Sequence, residues 1–324
     1  MTKRYRLGLF LVFLGLMVPR ILQSQQLPQF SQYIFNGLHI NPGYAGYKNE
    51  GYLQTTYRSQ WVNFPGAPRT ISITGDFSAN EGTTGIGFSY VRDQIGHMES
   101  NLGLLTYAYR INTGENGRLA LGISAGISEY AFDPSGIVTG RPDDPIIPAT
   151  RIAAMAPTMN AGLFYHNENF YAGVSAYNLI GKRALLREDI SVAYHDFHYY
   201  FTMGGIIPLT DVVKMKPSVL FRHVSGSPTS YDLNTMFLFK ERLWFGGSYR
   251  SNVRVFEDQL QDGLSKRNAV ALVMEYFILP GLRLGYAYDY NLNALNSYRN
   301  ESHELSLGVY LRGKREVVYN SRWF

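Results

Sequence analysis

His195, Asp196 and His198, in the stretch AYHDFHYY, come closest to a metal-binding spacing. On a strand His195 and Asp196 point to opposite faces, which leaves two ligands at most, too few for a protein-held zinc. A surface pair of histidines without metal is the simpler reading. The acidic pair Asp143–Asp144 lies in a Pro-rich loop (RPDDPIIP) and reads as solvated charge. Gly85-x-Gly87 sits inside a strand pattern, not at a strand-to-helix turn, so it is no nucleotide fingerprint. No nucleophile elbow between strand and helix, no HExxH helix and no P-loop appears. The chain has no cysteine, which excludes disulfides, thiolate metal sites, a cysteine nucleophile and lipoprotein acylation. The residue types therefore predict no enzyme, no cofactor and no bound metal.

The remaining charged residues with a pattern are Arg283 and Asp289 in GLRLGYAYDY, and Glu304 and Arg312 in HELSLGVYLR. Each shares one face of an alternating segment with Gly, Ala or Ser, while Leu, Tyr and Val hold the other face. They read as inward groups of a barrel, pairing with each other or lining a passage. The most regular alternation is GRLALGISAGISEY. There Leu119, Leu121, Ile123, Ala125 and Ile127 share one face, and Ala120, Gly122, Ser124, Gly126 and Ser128 form a face of uniformly tiny residues. A face that small makes room inside for water, for part of the same chain or for another chain.

The elements that would position these groups are strands. Fourteen alternating segments are read at 50–60, 68–77, 84–92, 100–111, 117–130, 158–166, 169–178, 196–207, 214–223, 230–239, 242–250, 267–278, 281–290 and 302–312. Their length suits a tilted strand crossing a bilayer, and their number is even. Connections after even-numbered segments are short, whereas 131–157, 179–195, 251–266 and 291–301 follow odd-numbered ones. Short turns on one side and long loops on the other mark an outer-membrane barrel. In lipid the sheet must close because an open edge leaves backbone groups unsatisfied. The predicted fold is all-β: a transmembrane antiparallel β-barrel of about 14 strands, outer-membrane type, with both termini in the periplasm. Tyr57, Trp61, Tyr90, Trp244, Tyr249 and Tyr298 are expected in the interfacial girdles.

The N-terminus is a secretory signal peptide over residues 1–24. Lys3, Arg4 and Arg6 precede the apolar run Leu7–Val18, too short to span a bilayer as a helix. Its removal takes away Lys3, Arg4, Arg6 and Arg20 and no acid, lowering the net charge from +5 to +1. The basic balance thus gives no reason to expect nucleic acid as a partner. Residues 25–49 follow as a periplasmic or lumenal segment, 50–312 as the barrel and 313–324 as a periplasmic tail.

The segment FSQYIFNGLHINPGYAG (30–46) resembles the N-terminal signature of the PorP/SprF family of the Bacteroidota type IX secretion and gliding machinery. Further matches follow in order: Arg58-Ser-Gln60-Trp61, Gly66-Ala-Pro68-Arg-Thr70, Gly85-x-Gly87 leading to Asp93-x-x-Gly96, Trp244-Phe-Gly246-Gly-x-Tyr249-Arg250, Gly285-Tyr-x-Tyr-Asp289 and Ser302-His303-Glu304. Gly43 stands where Ala is usual, and Glu301 where Gly is usual. The resemblance implies a non-catalytic outer-membrane component that helps export and anchor a cell-surface adhesin through its C-terminal sorting domain, or links the machine to the membrane. It implies as partners that adhesin, type IX components including a periplasmic peptidoglycan-binding lipoprotein, and outer-membrane lipids. A porin or small-hydrophobe channel is the alternative. The opening segment cannot bury a face alone, so a lumen or mouth must supply the missing surface. Phe30, Tyr33, Phe35 and Tyr44 would be its anchors, with Asn36 and Asn41 satisfying backbone groups. Asn41-Pro42-Gly43 is a natural turn, with Gly43 free to take positive φ. The full docking set is Phe30, Gln32, Tyr33, Asn36, Asn41, Pro42, Tyr44, Gly46, Arg58 and Trp61.

Overall fold

The computed structural model describes residues 27–114, 116–137, 148, 150–180, 185–187, 190–193, 196–224, 227–253, 255, 269–292 and 301–311. The expected signal peptide, the 313–324 tail, Arg312, His195, the Asp143–Asp144 pair and Tyr298 lie outside these residues.

Fourteen antiparallel strands close into a barrel. They are β1 (Gly51–Ser59), β2 (Arg69–Ala79), β3 (Thr84–Ile95), β4 (Met98–Asn112), β5 (Arg118–Phe132), β6 (Ile152–His166) and β7 (Phe170–Tyr177). There follow β8 (His198–Gly205), β9 (Val213–Val224), β10 (Thr229–Phe239), β11 (Leu243–Val253), β12 (Ala269–Leu279), β13 (Leu282–Asn291) and β14 (Ser302–Leu311). Each pairs with its sequence neighbours, and β14 pairs back on β1, from Gly51↔Leu311 to Ser59↔His303. No edge is left at the seam, as a lipid-exposed sheet requires.

Strand order and hairpin parity match the sequence reading, with three local differences. β6 begins at Ile152 rather than 158, because the run IAAMAP lacks alternation although Pro157 still pairs opposite Ile127. β8 breaks at Ile206, whose N–H leaves the ladder for the Asn169 carbonyl; the strand resumes over Ile207–Thr210 against β9. A small hairpin, Leu185–Arg187 with Ile190–Ala193, lies within the expected long loop. Turns after even strands are short (80–83, 113–117, 167–169, 211–212, 240–242, 280–281). Those after odd strands are longer, apart from 96–97 and 225–228.

The two faces separate as the alternation demands. On β5, Leu121, Ile123 and Ile127 are exposed toward lipid, while Ala120, Ser124 and Ser128 are buried inside. Tyr57, Tyr90 and Tyr249 also face outward. Trp244 does not join them: it shares the inward face of β11 with Gly246 and Ser248 and is buried, its ring 6.2 Å from that of Phe35.

What buries the inward face is the segment before β1. Residues 27–48 form a strap that fills the lumen, with short 3-10 turns at Ser31–Phe35, Gly37–His39 and Pro42–Tyr44. It begins at the mouth ringed by the long connections, where the Leu27 N–H donates to Nε2 of His198 (3.2 Å), the first residue of β8. It ends at the opposite mouth, where Gly82 of the β2–β3 turn lies close to the side chain of Asn49. Leu311, the last described residue, is also at that second mouth, opposite Gly51. The described chain therefore starts at the mouth of the long connections and finishes at the other one. Strand parity fixes only where strands begin and end, and the strap adds a crossing of its own.

Candidate functional site

The strap has no sheet partner, so its backbone groups need other acceptors and donors. The wall supplies charged ones. At the head of the first turn, Glu304 accepts from the N–H groups of Ser31 (2.8 Å) and Gln32 (2.9 Å). The Gln32 amide donates to the Glu304 carbonyl, and Ser306 Oγ donates to Gln32 Oε1. Asp289 accepts from Ser31 Oγ at 2.7 Å. Arg58 from β1 joins these groups: it pairs with Asp289, with Glu304 (2.9 Å) and with Ser31 Oγ (3.1 Å), all three buried. One guanidinium thus holds two carboxylates from the last two strands, and all three hold the strap.

The foot of the same turn exposes carbonyls, and cations take them. Lys216 Nζ donates to the Ile34 carbonyl at 2.9 Å and Lys48 Nζ to that of Phe35 at 3.3 Å. Lys48 Nζ also sits 3.3 Å from the centre of the Tyr52 ring. Further along, Asp76 accepts from the Gly46 N–H (2.7 Å) and Arg110 donates to the Ala45 carbonyl. Side-chain contacts complete the fit. Asn36 Nδ2 donates to Thr74 Oγ1 (2.6 Å), and Asn234 Nδ2 donates to the Tyr33 hydroxyl (2.7 Å).

Small residues let the backbones meet. A Cβ added to Gly122 would run into Pro42–Gly43, one on Gly162 into the Asn41 amide and one on Gly85 into the Ala45 carbonyl. The tiny face of β5 thus accommodates the chain's own strap. Asn41 opens the last 3-10 turn, its Oδ1 accepting from the Gly43 N–H at 2.8 Å with Pro42 at the first turn position. Its Nδ2 reaches the wall at the Leu163 carbonyl (2.8 Å). Positive φ falls at Gly46 (φ 68), not at Gly43. Pro42 seats the turn, and the actual reversal comes four residues later.

Phe30 stacks on His39 with ring centres 4.3 Å apart. Tyr44 packs edge-on against Phe164 at 5.5 Å. Nine of the ten expected docking residues therefore lie in the strap or touch it. Trp61 does not. It stands in the β1–β2 connection at φ 48, its N–H donating to Ser302 Oγ. Arg283 faces inward as expected but pairs with Glu275 and donates to the Tyr310 hydroxyl (2.8 Å). A second inward group joins Asp232 to Arg222 (2.8 Å) and Arg250 (2.9 Å). Asp76, Arg110, Lys216 and Asn234 were not singled out in the sequence, although each lies on the buried face of its strand.

One string in β5, Gly122-Ile-Ser124-Ala-Gly126, matches G-x-S-x-G in letters. It runs straight through mid-strand, and Ser124 Oγ bonds Thr106 Oγ1 at 3.0 Å, so it makes no elbow. His198 Nδ1 lies 2.9 Å from the Asp196 carbonyl. Among the described residues no group of three or more potential ligands gathers for a metal.

The model of the type IX secretion system membrane protein PorP/SprF matches residues 22–309. The chain belongs to the PorP/SprF family. It is thus a type IX secretion component with an outer-membrane barrel fold, in a family that is not a known enzyme class. No curated protein matches the sequence. Among solved structures it is similar to the monoaromatic hydrocarbon channel CymD, 11% identical with a TM-score of 0.49 over 88% of this chain and 92% of that one. It is also similar to a Pseudomonas aeruginosa FadL homologue, 10% identical with a TM-score of 0.48 over 88% and 94%.

Proposed function

We propose that this PorP/SprF protein is a non-catalytic scaffold that helps export a cell-surface adhesin and anchors it through its C-terminal sorting domain. The observation that carries this reading is the lumen filled by the chain's own strap, gripped at its first turn by Arg58, Asp289 and Glu304. A barrel stoppered by its own backbone suits holding a partner better than conducting a solute. In this reading the long connections face outward, where the adhesin is held. The short turns face the periplasm, within reach of a peptidoglycan-binding lipoprotein of the same machine.

The test is purification of the tagged protein from crosslinked outer membranes, followed by mass spectrometry. Stoichiometric recovery of an adhesin C-terminal domain is expected. Recovery of the periplasmic lipoprotein and ring subunits without any adhesin would place the protein in the core machine instead. Finding neither while the barrel is intact would count against the scaffold reading, and a steady single-channel conductance would then favour transport.

A further inference from the structure

The mouth of the long connections holds a recess bordered by the start of the strap. It spans about 580 Å³, counting the part open to solvent, within the size range of ligand sites. Its sides are apolar: Leu27, Pro28, Phe30 and Ile40 of the strap, with Val224 and Pro228 at the two ends of the β9–β10 connection. One step deeper on the inward face, Tyr200 of β8 stands opposite Arg222 of β9, and both line the recess too. Arg222 is buried, its Nε donating to Ser230 Oγ (3.2 Å) and its Nη2 to Asp232 (2.8 Å). Its Nη1 and the Tyr200 hydroxyl have no hydrogen-bond partner among the described residues. Asp232 is shared with Arg250, so these three side chains carry one positive charge in excess. Arg58, Asp289 and Glu304 carry the opposite excess, but Ser31 and Gln32 take up those carboxylates. The strap adds a second feature. Its stretch from Leu27 to Phe30 precedes the 3-10 turns, and Phe30 is extended (φ −104°, ψ 139°). The N–H groups of Gln29 and Phe30 make no hydrogen bond among the described residues. An unpaired backbone beside a cationic wall calls for a ligand that brings both a backbone and an anion.

We propose that this recess binds the C-terminal end of an extended polypeptide. The terminal carboxylate meets Arg222 and Tyr200, an apolar last residue packs against Val224 and Pro228, and the backbone runs beside Gln29 and Phe30. A carboxylate accepts several donors at once and suits the free edge of a guanidinium. Capture of a chain end, joined to pairing with an exposed backbone edge, is a recurring mode of peptide recognition. Phe201 and Phe221 hold the outward face of the same two strands, so the recess opens to the mouth and not to lipid. A free fatty acid offers the same carboxylate and apolar body, but no backbone for Gln29 and Phe30. The inference rests on the reading of this protein as a holder of partner chains, and it names the place where the end of one would be gripped.

The test uses the purified full-length protein in detergent and a fluorescein-labelled hexapeptide, Gly-Ser-Gly-Ser-Leu-Phe, made with a free C-terminal carboxylate or with a C-terminal amide. Binding is read by fluorescence polarisation. The acid is expected to saturate the protein, and the amide to bind at least about tenfold more weakly, as the loss of hydrogen bonds to a charged group implies. Tyr200→Phe and Arg222→Gln, each first shown to keep heat-modifiable mobility, should narrow that difference. Arg92→Gln, an exposed arginine paired with Glu99, should leave it unchanged. If Arg222→Gln does not fold, Tyr200→Phe decides alone. Equal binding of acid and amide, or no saturable binding of either, overturns the inference. So does saturable binding of decanoate without binding of the peptide, because the ligand is then a free acid. A peptide that fails to bind, while an adhesin domain is recovered from crosslinked membranes, rejects the recess and leaves the scaffold reading. Peptide binding with no adhesin recovered keeps the recess and rejects that reading.

Discussion

Arg58 carries two buried carboxylates and a strap hydroxyl on one side chain, which makes it the residue whose loss leaves most behind. Arg58→Ala strands Asp289 and Glu304 inside the barrel without their cation, and breaking a buried pair this way costs on the order of 3–5 kcal/mol. The temperature at which the compact band converts to the unfolded band on a semi-native gel is expected to drop sharply. A triple replacement with Asp289→Asn and Glu304→Gln should recover much of the loss. If the single variant melts with wild type, the cluster does not hold the strap.

At the scale of elements, the fit between strap and β5 depends on residues too small to be noticed singly. Gly122→Val places a branched side chain where Pro42–Gly43 now lies. Such a close approach of two backbones cannot be relieved by a rotamer change, so the strap should lift while the wall persists. Expected are retained heat-modifiable mobility, a lower conversion temperature and new cleavage within 28–48. Gly103→Val on β4, where a Cβ meets nothing within 4 Å, is the matched control and should behave as wild type. The strands themselves were legible because alternation on a closed sheet repeats the same signal many times. The inward set Arg283, Asp289 and Glu304 followed from that parity, and Trp244 would have been placed correctly by it too, since it shares a face with Gly246. The strap's hydrogen bonds were not legible. Several join residues more than two hundred positions apart, such as Ser31 with Glu304, and no local pattern encodes which wall carboxylate meets which turn. The start of β6 was missed because IAAMAP breaks the period that marks every other strand.

For the whole molecule, the filled lumen predicts electrical silence. Purified protein in a planar bilayer should show little or no steady conductance. Deleting residues 28–46 while keeping the signal should either open a large steady channel or leave a barrel that no longer converts with heat. The first result makes the strap a stopper and the second makes it a structural member. A wild-type conductance matching that of the deletion would contradict both. Secretion assayed in the same strain separates docking from stability, because an intact, open, secretion-defective barrel assigns the strap a role in the machine.

The grip of Arg58 on Asp289 and Glu304 also orders the assembly in time. The strap is synthesised first, yet the groups that receive its first turn belong to β13 and β14, 258 and 273 residues later in sequence. Contacts between such distant parts of a chain form late, since loop closure must precede them. The strap can lock only when the final hairpin has been laid against β1, so its locking is a built-in report that the barrel is complete.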